Sequence, residues 1–228
     1  MKMKISRITA LLAAFWLPLA VMAGINPQAT FMEKDVETTD WKDISGDAPL
    51  HVRFAANATD LEEGSSIVWH LNHRTSGTSL TRYEESFEFD FVEAGITDVE
   101  IQLKSGDEVI EAKSLTVTIS ESFLEMPNAF TPNDDGHNDF YQAKSNYKSI
   151  ISFHAYIFNR WGQKLYEWTD HTDVEKGWDG KFHGEPVKDG VYFVLVKARG
   201  ADGREFNIRR DVNLLRRYNE TTNSAANP

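Results

Sequence analysis

Apolar side chains alternate with polar ones along most of this chain. Leu50, Val52 and Phe54 do so, then Ile67, Trp69 and Leu71, then Phe87, Phe89 and Phe91 with Glu88 and Asp90 between them. Val99, Ile101 and Leu103 follow, and after them Leu115, Val117 and Ile119. A period of two sends one set of side chains to a core and the other to water, as in half-buried strands. Five such strands separated by Gly, Ser and Asp turns predict a β-sandwich with Trp69 at its centre. A second set begins after residue 123. Ile151, Phe153, Ala155 and Ile157 run into a turn at Asn159–Gly162, and Gln163 to Trp168 return from it. Asp170 to Gly190 is a long turn-rich excursion, Val191 to Ala198 an apolar strand, and Arg199–Gly203 the next hairpin turn. Phe206 and Ile208 return, and Val212, Leu214 and Leu215 make a last short strand. No segment beyond the first 23 residues has a convincing helical period. The pattern predicts an all-β chain of two tandem β-sandwich domains.

The first 23 residues differ. Lys2, Lys4 and Arg7 precede an apolar run from Ile8 to Leu19, and Val21-Met-Ala23 ends in small residues, which together read as a cleaved signal peptide. The run is too short for a membrane anchor. The expected division is therefore signal peptide 1–23, polar linker 24–45, sandwich 46–122, second β-domain 123–217 and polar tail 218–228. The chain has no cysteine, so packing rather than disulfides must hold it together after export. Charge is uneven. Residues 24–122 hold 7 basic and 20 acidic side chains, a net of −13, whereas residues 123–219 hold 14 of each. Such a field disfavours nucleic acid and anionic lipid as partners of the first domain, and acidic surface also keeps an exported domain soluble.

The stretch Met126 to Phe140 fits neither helix nor strand. Two prolines, one glycine and seven Asn, Asp or Thr side chains fall within its fifteen residues, the composition of a loop stapled by Asx turns. Asn133, Asp134, Asp135, Asn138 and Asp139 also form a dense set of oxygen ligands for calcium. An EF-hand register fails because Gln142 stands where a bidentate glutamate is needed; an irregular calcium site remains the alternative to Asx turns, which need nothing extra. His70 and His73 would point to opposite faces of one strand, which argues against a metal pair. The chain lacks a cysteine nucleophile, G-x-S-x-G, H-E-x-x-H and a phosphate-cradling glycine loop, so it is expected not to be an enzyme. Trp161 and Trp178 sit in turns, folded back over a core or offered to a partner. Arg209 to Arg217 mixes four arginines with alternating apolar residues, which suits a charge-guarded edge strand or a strand offered for β-augmentation.

Four motifs occur in order: P-N-A-F-T-P-N-D-D-G-H-N-D at Pro127–Asp139, Asn159-Arg160-Trp161-Gly162, Trp178-Asp179-Gly180, and Gly190-Val191-Tyr192-Phe193. Together they resemble the gliding-motility-associated C-terminal domain of Bacteroidota, the type B sorting domain of the type IX secretion system. The first domain resembles PKD-type immunoglobulin-like domains through Gly46–Leu50, the Trp69 strand and the Phe91…Ala94-Gly95 corner, although His70-Leu-Asn-His73 replaces the usual Asp- and Gly-rich turn. The resemblance implies export, an outer-membrane or cell-surface destination, and a PorP/SprF-like outer-membrane β-barrel as partner, with no insertion of the chain itself into the membrane. It also implies that recognition residues lie among Pro127, Asn128, Phe130, Pro132, Asn133, Asp135, Gly136, Asn138, Asp139, Asn159, Arg160, Trp161, Gly162, Trp178, Asp179, Gly180, Gly190 and Tyr192. The chain departs from the family pattern at Asp211, where glycine is common, and in its polar tail. With so small a first domain, the expectation is a structural subunit of the secretion or gliding apparatus docked on its barrel; the alternative is a secreted adhesin or glycan-binding module. No cofactor is expected, calcium aside.

Overall fold

The computed structural model describes residues 23–33 and 36–216. The expected signal peptide, Ala23 apart, and the polar tail lie outside the described residues. Among these residues no helix is long and apolar enough to cross a membrane.

The first domain contains β1 (Gly24–Ile25), β2 (Gln28–Glu33), β3 (Val36–Asp40), β4 (Ile44–Gly46), β5 (Leu50–Ala55), β6 (Ala58–Thr59), β7 (Ser65–His73), β8 (Ser79–Arg82), β9 (Ser86–Phe91), β10 (Gly95–Ser105) and β11 (Glu108–Ile119). They form two facing sheets, β3-β2-β5-β9 and β4-β11-β10-β7-β8, with β1 paired to β6 at the side. All ladders are antiparallel except that of β4 with β11. The alternation read along the chain becomes burial: Leu50, Val52 and Phe54 face inward while His51 and Arg53 face water. Trp69 is fully buried at the centre, its ring 5.3 Å from Phe87, 5.8 Å from Phe54 and 6.2 Å from Trp41. Its indole N–H donates to the carbonyl of Glu84, which meets the polar need of a buried indole.

Residues 24–45 are not a linker. They supply β1 to β4, and Ile25, Ala29, Phe31 and Ile44 are buried in the sandwich core. Their apolar positions are too sparse to read as strands in isolation; the pairing comes from elsewhere, β5 for β2, with Phe31 opposite Val52, β6 for β1 and β11 for β4.

The second domain contains β12 (Ala129–Phe130), β13 (Ile150–Phe158), β14 (Lys164–Trp168), β15 (Lys181–Phe182), β16 (Glu185–Pro186), β17 (Gly190–Gly200) and β18 (Glu205–Leu214), with one 3-10 turn at Val174–Lys176. One five-stranded sheet, in the order β12-β18-β17-β13-β14, forms a layer. The facing layer is built from the loop 123–149 and the excursion that carries the β15–β16 hairpin. Phe153, Ala155, Ile157, Val194, Val196, Val212 and Leu214 point inward to meet Leu124, Met126, Phe130, Tyr141 and Trp178. The two segments read as a hairpin return and a last short strand are one continuous ten-residue β18. β12 pairs with it only at Asn213 and Leu214, so most of its outer edge carries no strand among the described residues. There the guanidinium of Arg210 donates to the carbonyl of Met126 at 2.7 Å.

The domains meet through a small polar junction. Ser149, almost fully buried, accepts the N–H of Ala48 at 3.0 Å and shares a 2.9 Å hydrogen bond with the Ser120 hydroxyl. The N–H of Ala94 donates to the carbonyl of Ala201 at 3.1 Å, and Ala201 packs against the first core.

Candidate functional site

The motif residues divide into a buried set and an exposed set. Phe130, Trp178 and Tyr192 come from three separate motifs and meet in the core, with ring centroids 5.3 Å apart for Phe130–Trp178 and 5.0 Å for Trp178–Tyr192. Tyr141 completes the cluster 5.7 Å from Phe130. The Trp178 indole N–H donates to the carbonyl of Lys181 at 2.8 Å, and the Tyr141 hydroxyl donates to that of Pro127 at 2.9 Å. Burial pushes the Tyr141 phenol far above its ordinary value, so it stays a neutral donor. A reciprocal pair of backbone hydrogen bonds between Tyr141 and Trp178 ties the loop to the excursion. Gly180 has φ of +77° and packs so closely on Pro132 and Leu214 that a Cβ would crowd both at 3.0–3.1 Å. The carbonyl of Asn128 accepts the N–H of Asn213, fixing β12 beside β18. Asp179 accepts the N–H of Lys181 and pairs with its ammonium at 3.0 Å. These residues are brought together, but as the frame of the domain.

The acidic loop is organised around Asp139. Its carboxylate accepts the backbone N–H groups of Asn133 at 3.0 Å, Asp134 at 2.7 Å and Gly136 at 2.8 Å. Asp135 accepts the Asn133 amide and the N–H of His137, and these bonds hold its carboxyl below the usual aspartate range. Asp134 and Asn138 take positive φ, as Asx-rich turns permit. The Asp135 and Asp139 carboxylates thus accept from N–H donors of their own loop, and no group of three or more acidic or histidine side chains among the described residues is arranged to hold a metal ion. The hydrogen bonds of Asn133, Asp135 and Asp139 to N–H groups of their own loop are those of Asx turns.

Asn159–Gly162 behaves differently. The Asn159 carboxamide oxygen accepts the N–H groups of Trp161 and Gln163, each at 3.0 Å, and Gly162 takes φ of +78°. The turn is held from within, and its two large side chains are left outside it. Trp161 is 76% exposed, with the Arg160 guanidinium stacked 4.3 Å from its ring centroid. In the sheet register Phe158 lies opposite Phe193, which puts this turn and the Gly190–Phe193 motif at the same end of the sheet. Phe193 and Val191 are exposed on the outward face there, while Tyr192 between them is buried. Phe158, Phe193, Leu195, Arg209 and Asp211 line a shallow groove of about 410 Å³ on that face.

Two elements of the frame have no counterpart among the sequence motifs. Gln142 is buried: its carbonyl oxygen accepts the Trp168 indole N–H at 2.8 Å and its amide donates to the carbonyls of Asp170 and Asp173. Asp202 accepts the N–H and hydroxyl of Ser122 and the N–H of Arg204. Partial burial raises its pKa, but these hydrogen bonds outweigh that and hold it below the ordinary aspartate value. Neither has a sequence signal, because the partners that tie each to another element lie 26 to 80 residues away. His70 and His73 leave β7 on opposite faces, His73 buried and His70 only partly so.

Comparison with curated proteins finds no match. Among solved structures, a tetra-tandem repeat from the extending region of a large adhesion protein is 11% identical with a TM-score of 0.30, covering 85% of this chain and 57% of the other. Dimeric latent PorU from Porphyromonas gingivalis is 10% identical with a TM-score of 0.28, covering 85% of this chain and 20% of its own. The surface glycan-binding protein SGBP-B of a Bacteroides ovatus mixed-linkage glucan utilization locus is 14% identical with a TM-score of 0.28, covering 83% and 47%. This chain therefore spans little more than half the length of the first and a fifth of the second. Residues 124–208 match the family model described as CHU_C Type IX secretion signal domain, and the membership to which the four motifs point is thereby shown for the C-terminal domain.

Proposed function

We propose that the C-terminal domain is the handle by which type IX machinery carries the chain to the cell surface, and that the acidic β-sandwich is the part delivered there. The observation that carries this reading is the division of the motifs. Phe130, Trp178 and Tyr192 are spent on the core, whereas Arg160, Trp161, Val191 and Phe193 stand exposed at one end of the sheet. An exposed tryptophan with a stacked arginine, held by a rigid turn, is the composition of a binding hot spot. A turn fixed by its own hydrogen bonds also loses little entropy on docking. The partner for this corner is an outer-membrane β-barrel of the PorP/SprF kind. The protein works without catalysis, as a surface-delivered binding module in preference to a subunit of the apparatus.

The test is a fusion of residues 123–228 behind a signal peptide and a fluorescent reporter, in a host with type IX machinery. The reporter is expected at the surface, and Trp161→Ala together with Arg160→Ala is expected to leave it in the periplasm without lowering the domain's melting temperature. An unmodified fusion retained in the periplasm overturns the sorting reading; a double variant that is still exported overturns the corner. Deleting the gene separates delivered module from apparatus: accumulation of other substrates in the periplasm would make the protein a subunit.

A further inference from the structure

The acidic domain has an open seam on the side away from β3 and β4. β8 ends one sheet and β9 ends the other, and no strand among the described residues pairs with the outer side of either. Between them lies a cavity of about 90 Å³ walled by Leu71, Leu80, Phe89, Phe91 and Val92. Phe87 and Phe89 point inward yet remain only half-buried, because the four-residue β8 is too short to cover them. Tyr83 and Val92, just before and just after β9, are exposed. His73 also lines the cavity. Its Nδ1 accepts the N–H of Ser76 at 3.1 Å, which puts the ring hydrogen on Nε2, and that buried Nε2 has no partner.

The size of the cavity decides its class of occupant. Small-molecule pockets measure roughly 300–1,000 Å³, and a cavity of about 150 Å³ takes a benzene ring. This one holds a single aliphatic side chain. An occupant that brings one such side chain and also satisfies the main-chain groups of a free edge is an extended polypeptide. Its charge follows from the rim. Glu88 and Asp90 project from β9, Glu93 follows it, and the whole domain carries a net of −13.

We infer that the β8–β9 seam accepts an extended strand of a partner polypeptide by β-augmentation, with one aliphatic side chain in the cavity and lysine or arginine on either side. Edge strands of this kind are otherwise guarded by charge. Here β8 ends in Arg82, which pairs with Glu84 at 3.9 Å. The charges along and after β9 are all acidic, so the β9 side selects a basic strand and repels an acidic one. The inference concerns the delivered domain and does not depend on the sorting reading.

The test uses the mature chain and a synthetic peptide, acetyl-Lys-Val-Lys-Leu-Lys-Val-Lys-amide, followed by NMR shift and amide-exchange mapping. Saturable shifts and slowed exchange confined to β8 and β9 are expected, weakening with salt. The peptide with glutamate in place of lysine should bind roughly tenfold more weakly or not at all, since two or three exposed ion pairs set the difference. Leu80→Phe, which fills the cavity, should abolish binding while its melting temperature confirms that it folds. No shifts, equal binding of the acidic peptide, or shifts elsewhere on the molecule would overturn the proposal. Slowed exchange in the seam that grows with protein concentration in the absence of peptide would overturn it too, by making the occupant a second copy of the chain.

Discussion

Two tryptophans in similar turns have opposite fates. Trp178 is fully buried and hydrogen-bonded, Trp161 is 76% exposed. Trp178→Ala should therefore cost about 3–5 kcal/mol in a urea unfolding experiment, and Trp161→Ala should stay within about 0.5 kcal/mol of the native chain. Asp139 gathers three backbone N–H groups. Asp139→Ala leaves them without their acceptor and should destabilise the C-terminal domain by about 1–3 kcal/mol. Because those oxygens serve the loop itself, calcium or a chelator should not move the melting temperature; a rise with calcium would show that a site forms there. Asp202 gives a pH signature. Its pKa is lowered in the folded chain, so its stabilisation is complete above the unfolded value of about 3.9 and is lost as pH falls through the folded value. Urea midpoints of the native chain and of Asp202→Asn should differ at pH 7 and converge below about pH 4.

At the scale of elements, alternation in the longer strands predicted their inward faces without help from the fold. Trp69 at the centre of the first sandwich was legible because Ile67 and Leu71 share its face. β2 and β3 were not legible, since their apolar residues are few: β2 acquires its core by pairing with β5, and β3 is held only by β2, with none of its residues buried. Tyr156, Phe158 and Phe193 alternate like core residues, yet they lie on the outer face of the C-terminal sheet. Period-two patterns reveal two faces, but not whether a second layer covers both. The four motifs located the candidate site, whereas its exposed half could be told from its buried half only through the register that sets Phe158 against Phe193.

At the scale of the whole molecule, the junction decides whether the first domain and the C-terminal domain behave as one body. Ser149 sits there with φ of +46°, its hydroxyl bonded to both Ala48 and Ser120. Ser149→Ala would strip the buried Ala48 N–H of its acceptor, a loss of about 1–3 kcal/mol. A single unfolding transition of the native chain should then separate into two, and spin labels on the two domains should report a broader distance distribution. Unchanged transitions and distances would mean that the polar junction does not couple them.

The sequence by itself determined that this is an all-β chain with a Trp69-centred first domain, and that four ordered motifs mark its C-terminal domain. Those properties are local: they rest on side-chain alternation, on turn residues with fixed conformational preferences, and on short words of sequence. Only the tertiary structure decided that the segment before β5 supplies β1 to β4, that Gln142 and Asp202 hold the second layer in place, and that Trp161 is offered to solvent while Trp178 is not. The physical reason is that burial, and the hydrogen bonds that tie Gln142 to Trp168 and Asp202 to Ser122, join residues distant in sequence, and no single stretch of the chain carries both partners.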